Sequence, residues 1–390
     1  MNRSPIYLDN AATTQVYPEV VDQMVKAMRD VYGNPSSPHA KGFEAEQLVK
    51  EARRTIAMLL DADPQEIVFT SGATESNHLA IKGAARARAR LGRHIVLTSI
   101  EHPSALNAAS DLETEGFELS YVDPDQAGRI PADAVQAALR EDTVLVCVMS
   151  VNNETGSLQD LAEIVRVVRA SAPKAVIHTD AVQAFCKLPF HPGRIGVDFA
   201  AITAHKFHGP KGVGALWVRK GTRLKAMMGG SQQEGGLRSG TENVPGIVGF
   251  AAAASMSAAR AAKCKEQWAE YRAYLIDRLC RIDGVRVNGS TNDGGSSPHI
   301  LNVSFPGIPG EVLVRALSER GLFVSTGSAC TSKKSDPKKG SHVLRAMGIQ
   351  EQIASSAIRI SFSFSTTREE IEAARSIIEE TVLSMRSTLR

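Results

Sequence analysis

The stretch DFAAITAHKFHGPKGVGALWV, residues 198–218, decides how the rest of the chain is read. An apolar strand at 199–202 runs into a polar cluster of Thr203, His205, Lys206 and His208. A turn carrying Gly209, Pro210, Gly212 and Gly214 follows, and the chain leaves on a second strand at 215–218. Lys206 is therefore held by stiff backbone on both sides. Partial desolvation at such a place favours the neutral amine, the form that makes a Schiff base. The competing reading is an ordinary strand-end lysine in a connecting turn.

Working outward, strands alternate with helices. Strands are expected at 67–69, 94–102, 117–122, 143–156 and 174–185, the last two ending in polar loops. Helices are expected at 18–31, 43–60, from about 74, at 103–113, 131–140 and 158–171. Strands separated by helices of this length indicate βαβ units and a mostly parallel sheet. Thr74, His102, Asn153, Asp180 with Gln183, and His205 with Lys206 then all follow carboxyl ends of strands, the edge where open α/β sheets bind ligands. An Ala-rich helix at about 247–262 precedes a composition shift at 262–265 and a long helix to 282. Beyond it the pattern is α+β, with strands at 299–305 and 357–362 and a final helix from 366. The expected organisation is an N-terminal arm (1–15), a large domain (16–262) and a smaller C-terminal α+β domain (263–390) with a mobile loop at about 325–342.

Composition narrows the function classes. The 390 residues are 43% hydrophobic and 22% charged, as in an ordinary globular protein. A net charge of +3, spread along the chain, argues against nucleic acid as the main partner. No run of 18 apolar residues predicts a membrane span, and MNRSPIYLDN carries no secretory pattern. Five cysteines without a CxxC pair point to a reducing, cytoplasmic setting rather than a disulfide framework. Cys330 stands apart, in the Gly/Ser-rich STGSACTSKKSDPKKGS, where nearby lysines favour a reactive thiolate or simply form a solvated rim. His205 and His208 lack the partners of a metal site, so none is expected.

At the polar edge, Thr74 follows a Ser-Gly turn at a helix start, which makes either an anion site or a plain N-cap. Asp180 is suited to hold a proton on a heteroaromatic nitrogen, and His102 offers a ring for stacking or proton transfer. With a Schiff-base lysine these make a set for pyridoxal 5'-phosphate (PLP). Arg359 is placed either to pair with a substrate carboxylate or at a surface strand edge.

These residues sit in YLDNAATT, GNPSSPH, TSGATESN, EHPSAL, VNNETG, HTDAVQ, AHKFHGPKGVGALW, RSGTEN, GSACTS, HVLRAMG and RISFSFSTTREE, in that order over nearly the whole chain. The chain thereby resembles the cysteine desulfurases of the NifS/IscS type, class V aminotransferase-like enzymes of PLP fold-type I. That resemblance implies an α/β fold with a large, mostly parallel sheet domain and a smaller α+β domain. It implies that Lys206 carries PLP covalently, that His102 stacks on the ring and moves protons, that Asp180 pairs with the ring nitrogen and that Gln183 bonds the ring oxygen. Ala73, Thr74, Thr203 and His205 would hold the phosphate, with Thr241 reaching it from the other subunit of a homodimer. Asn153 and Arg359 would clamp the carboxylate of L-cysteine. Cys330 would be the nucleophile that converts L-cysteine, bound as a PLP aldimine, to L-alanine and a persulfide. The sulfur would pass to an iron–sulfur scaffold or sulfur-carrier protein, or toward tRNA and cofactor thiolation.

The alternatives within this reading are a selenocysteine lyase, another class V lyase or aminotransferase, and a non-catalytic partner protein. The first would use the same groups on selenium and stays open. The second has no need of Cys330, and the third no need of Lys206. Three departures stand out. The stretch from Cys330 to His342 is about four residues longer than the pattern and rich in lysine, GGSQQEGGL lacks an arginine after Glu234, and Ser363 and Phe364 stand where glycine and arginine are expected.

Overall fold

Strands such as Thr143–Cys147, buried at every position, can exist only with helices on both faces of their sheet, and the fold is built on that requirement. The computed structural model describes residues 5–291, 294–327 and 340–388. After the short strand β1 (Ile6–Tyr7) and helices α1 (Pro18–Asp30) and α2 (Ala40–Leu60), the chain alternates. β2 (Ile67–Thr70), α3 (Ala73–Arg88), β3 (His94–Thr98), α4 (Pro103–Glu113), β4 (Glu118–Val122), α5 (Ala132–Ala138), β5 (Thr143–Cys147), α6 (Leu161–Ser171) and β6 (Val176–Asp180) come first. The short α7 (Pro192–Ile195) then precedes β7 (Phe199–Thr203) and β8 (Gly214–Val218).

These strands form a seven-stranded sheet in the order β2-β8-β7-β6-β5-β3-β4. β4, β3, β5, β6 and β7 are mutually parallel, and β8 runs antiparallel to both of its neighbours. Mostly parallel pairing is the arrangement expected from the sequence. Its consequence for function is geometric, because parallel strands deliver their carboxyl ends to one edge.

Helix α8 (Val244–Leu279), whose C-terminal half packs in the core of the smaller domain, leads on to β9 (Arg286–Asn288), β10 (Ile300–Ser304), α9 (Gly310–Glu319), β11 (Leu322–Phe323), α10 (His342–Ala346), α11 (Glu351–Ala354), β12 (Ala357–Ser361) and α12 (Arg368–Thr388). The antiparallel sheet of this domain has the order β12-β10-β9, and β1 pairs in parallel with β11, setting Ile6 beside Leu322. Trp268, Leu275, Leu301, Leu313, Ile358 and Ile378 form a core here with Ile6 and Leu8 of the N-terminal segment.

Several expected elements are shorter or differently joined. The strand expected over 94–102 stops at Thr98, because Pro103 suits the first turn of α4 and the His102 side chain caps it by accepting from Ser104 N at 3.1 Å. The strand expected over 174–185 stops at Asp180, and residues 181–188 coil into turns. The composition shift at 262–265 falls inside the 36 continuous residues of α8. That helix alone, among the described residues, is long and apolar enough by composition to cross a membrane, and half of its most apolar window is buried in the fold, as in a core helix. Phe364 packs its ring edge-on to Trp268 and His208, at centroid distances of 5.0 and 5.9 Å, and so lies against both the core of the smaller domain and the one that holds Phe207 and Phe250 beside the large sheet. Glu234 in the glycine-rich loop is bound by Arg53 Nη2 at 2.7 Å and by Phe69 N at 2.8 Å, which ties the loop to α2 and β2.

Candidate active site

The carboxyl ends of β2, β3, β5, β6 and β7 surround a cavity of about 520 Å³. Ala73, Thr74, His102, Asn153, Asp180, Gln183, Thr203, His205, Lys206 and Arg359 all line it. Residues 286 positions apart in sequence thus meet because the strands are parallel and β12 of the small domain closes one side. Two of the expected site residues are not part of this lining. Thr241 lies exposed in the segment before α8, and Cys330 lies outside the described residues.

Lys206 leaves β7 on a single 3-10 turn, and its Nζ donates to the carbonyls of Ala11 and Ala12, both at 2.7 Å. The turn is fixed from outside: Thr14 N donates to the His205 carbonyl at 2.9 Å, and Tyr17 N to that of His208 at 3.1 Å. The N-terminal segment, anchored on β11 and β12, therefore forms a wall of the cavity.

Beside Lys206, helix α3 points its N-terminus into the cavity. Its first turn carries no side-chain cap, so the leading N–H groups remain for a ligand. Gly72, at φ 151°, opens that turn, and a Cβ on Gly214 of β8 would lie 2.8 Å from Gly72 Cα, so close packing demands glycine at 214. Thr203 Oγ1 is held by Val213 O at 3.1 Å, and His205 Nδ1 lies 3.2 Å from Thr13 Oγ1. Burial, reinforced by the positive charge of Lys206, lowers the His205 pKa to about 3, so its imidazole is neutral.

Asp180 ends β6 with its carboxylate buried. It accepts from Asn77 Nδ2 at 2.8 Å and from Val182 N at 3.0 Å. Asn77 is the centre of a small network, since it also donates to Ser104 Oγ at 2.9 Å and lies 2.9 Å from His178 Nε2 through its Oδ1. Burial lowers the His178 pKa to about 4, leaving that ring neutral. His102 is lowered too, by burial first and then by Lys206 and His342, against the pull of Asp180.

Across the cavity Arg359 is almost fully buried in the middle of β12. Its Nη1 donates to Asn153 O at 2.9 Å and its Nη2 to Asp9 Oδ1 at 2.7 Å, while Nε has no partner among the described residues. A guanidinium held in this way keeps its planar fork oriented. Next to Asn153, the Glu154 carboxylate accepts from Ser341 Oγ and stands 3.9 Å from His342 Nδ1, while Gly327 packs against it.

Reading the sequence alone overlooks Asn77, Glu101, Glu154, Lys187, Asp9 and His342. Asn77 had a signal, since it lies one turn after Thr74 on the same face of α3. The others sit in turns or on a different domain, where no periodicity marks them.

The donor set fits PLP: an uncapped helix start with hydroxyls for a phosphate, a buried carboxylate for a ring nitrogen, and a lysine amine within the same cavity. No group of three or more potential metal ligands occurs among the described residues.

Known proteins resemble the chain over nearly its whole length. Residues 6–374 match the family described as aminotransferase class-V. The chain is 43% identical over 378 residues to the putative cysteine desulfurase IscS 1 of Bacillus subtilis, covering 97% of this chain and 98% of that protein. It is 44% identical to the cysteine desulfurase IscS of Stutzerimonas stutzeri, covering 98% and 94% of the two chains. Among solved structures it superposes on a NifS-like protein with a TM-score of 0.91 at 38% identity, over 98% of this chain and all of that one. A structure described as SspA in complex with cysteine matches with a TM-score of 0.80 at 35% identity, over 93% and 99% of the two chains. The chain therefore belongs to the class-V aminotransferase family and, within it, is closely related to the NifS/IscS cysteine desulfurases.

Proposed function

We propose that this enzyme is a PLP-dependent cysteine desulfurase that takes sulfur from L-cysteine and releases L-alanine. The observation that carries the reading is the placement of Lys206, the uncapped start of α3 and the Asp180 carboxylate around one cavity. When bound, PLP supplies an electron sink for an amino acid's Cα–H bond. Lys206 Nζ would hold the cofactor covalently and, when free, would take the Cα proton of the bound amino acid. Asp180 would keep a proton on the ring nitrogen, and the network through Asn77 keeps that carboxylate in place. Gln183 would donate to the ring oxygen, and His102 would stack on the ring. Thr74, Thr203, His205 and the Ala73 backbone would hold the phosphate, joined by Thr241 from a second copy of the chain in a homodimer. Arg359 and Asn153 grip the substrate carboxylate.

Cys330 as thiolate attacks the substrate sulfur. An S–S bond forms, the Cβ–S bond breaks, and protonation of the remaining carbon skeleton yields alanine and a persulfide on Cys330. The persulfide sulfur then passes to an acceptor such as an iron–sulfur scaffold or sulfur-carrier protein. All four described cysteines are free thiols, which favours a reducing compartment such as the cytoplasm.

The test compares alanine and sulfide release from L-cysteine by wild type and Cys330→Ala. The variant is expected to keep the visible absorbance of bound PLP while losing turnover. Unchanged turnover would remove Cys330 from its role, and a colourless wild-type protein that stays colourless with added PLP would remove the cofactor.

A further inference from the structure

Behind Gln183 the fold buries a second lysine. After β6 the backbone coils, with Phe185 N donating to Ala181 O and Lys187 N to Ala184 O, so that Gln183 and Lys187 lie one turn apart on the same side. Lys187 is 4% exposed, and its Nζ donates to Gln183 Oε1 at 2.8 Å. His299, fully buried in the small domain, brings Nε2 to 3.4 Å from the same oxygen. At the other end of the amide, Gln183 Nε2 donates to the Ala11 carbonyl at 3.0 Å, and that carbonyl also accepts from Lys206 Nζ.

A buried ammonium ordinarily faces a carboxylate. The charged and titratable groups that interact with Lys187 are instead Lys206, Cys186 and Arg359, with His205, His208 and, from the small domain, His299. Burial, then Lys206, pushes its pKa well below the usual lysine range. Its Nζ presents N–H donors to Gln183 Oε1, while the Ala11 carbonyl, an acceptor only, holds the Nε2 end. A glutamine amide can turn over and exchange its oxygen for its NH2, and only the partners at each end decide which way it faces. With Oε1 engaged by Lys187 and His299, the NH2 end is the one presented to Ala11 and to the cavity.

We propose that Lys187 is a positioning residue that locks the Gln183 amide with its two N–H donors toward the cofactor cavity. One N–H serves Ala11, and the other is kept for the cofactor's ring oxygen. The inference rests on the PLP reading given above, in which Gln183 donates to that oxygen.

The test follows the visible absorbance of the PLP-loaded protein against pH in wild type, Lys187→Met, Gln183→Leu and the double variant. Loss of a donor to the ring oxygen raises proton affinity at the cofactor. Lys187→Met is expected to raise the absorbance midpoint by roughly half a unit to one unit. Gln183→Leu should shift it by a similar amount, and the double variant should go little further than either single change. An unmoved midpoint in Lys187→Met, or single shifts that add in the double variant, overturns the proposal. A wild type that shows no PLP band sinks the cofactor reading instead, which separates the two failures. One measurement needs no variant to fold. In the wild-type holoprotein the Gln183 side-chain NH2 should give two resolved, slowly exchanging proton resonances, and fast exchange with water would overturn the lock.

Discussion

Glu101→Gln is a perturbation whose size follows from the structure. Glu101 sits in the turn between β3 and α4 and is completely buried. Its Oε1 accepts from Thr98 Oγ1 at 2.7 Å and from Met149 N at 2.6 Å, while Oε2 has no partner among the described residues. Burial is the main reason that its pKa rises from 4.5 to about 8, and the Asp180 carboxylate adds to it. Between those values the folded protein keeps a proton that the unfolded chain has released. The stability tied to this group is complete below pH 4.5 and is lost as the pH rises through 8. Its slope approaches about 1.36 kcal/mol per pH unit in between. An interval of about 3.5 units (8 − 4.5) amounts to at most about 5 kcal/mol. Glutamine preserves the acceptor at Oε1, does not ionise, and so removes this dependence. Paired unfolding of wild type and variant, at fixed protein concentration and pH 5, 7 and 9, should show the variant's advantage growing with pH and levelling off above 8. Infrared spectroscopy should find a protonated-carboxyl band in the wild type that titrates near pH 8 and is missing from the variant. A stability difference independent of pH, or a wild type without that band at pH 6, refutes the reasoning.

Arg359→Lys should raise the KM for L-cysteine about ten- to hundredfold, because a lysine cannot serve Asn153 O, Asp9 and a substrate carboxylate with one planar fork. A KM equal to that of the wild type in steady-state assays would take the substrate carboxylate away from Arg359. Gly214→Ala should cost about 1–3 kcal/mol, since the new Cβ meets Ile202 O at 2.6 Å and Gly72 Cα at 2.8 Å and forces β8 off the start of α3. Thermal unfolding and the PLP content after dialysis should both fall, and a variant with wild-type values for both would show that the contact relaxes freely.

The sequence by itself determined the alternation of strands and helices, and with it the parallel sheet and its ligand edge. Uniformly apolar runs such as 144–148 need cover on both faces, and parallel pairing needs a helix between strands. Motif order also pointed to Lys206, Asp180, Thr74, His102 and Arg359 as candidates, because each stands where an element ends or a charge interrupts an apolar pattern. Element ends were less legible. His102 looked like the last residue of a strand, yet its ring caps α4, and the choice depends on which hydrogen bonds are available once Pro103 opens a helix. Tertiary structure alone decided that Ala11 and Ala12 offer their carbonyls to Lys206, that Asp9 and Asn153 orient Arg359, and that Lys187 lies buried against Gln183. None of these pairs is marked by spacing, since the partners lie on different elements or depend on a turn whose form the chain takes only when packed. A lysine reads as a surface charge in a sequence, and only the packing around Lys187 strips it of water and sets its Nζ against Gln183 Oε1.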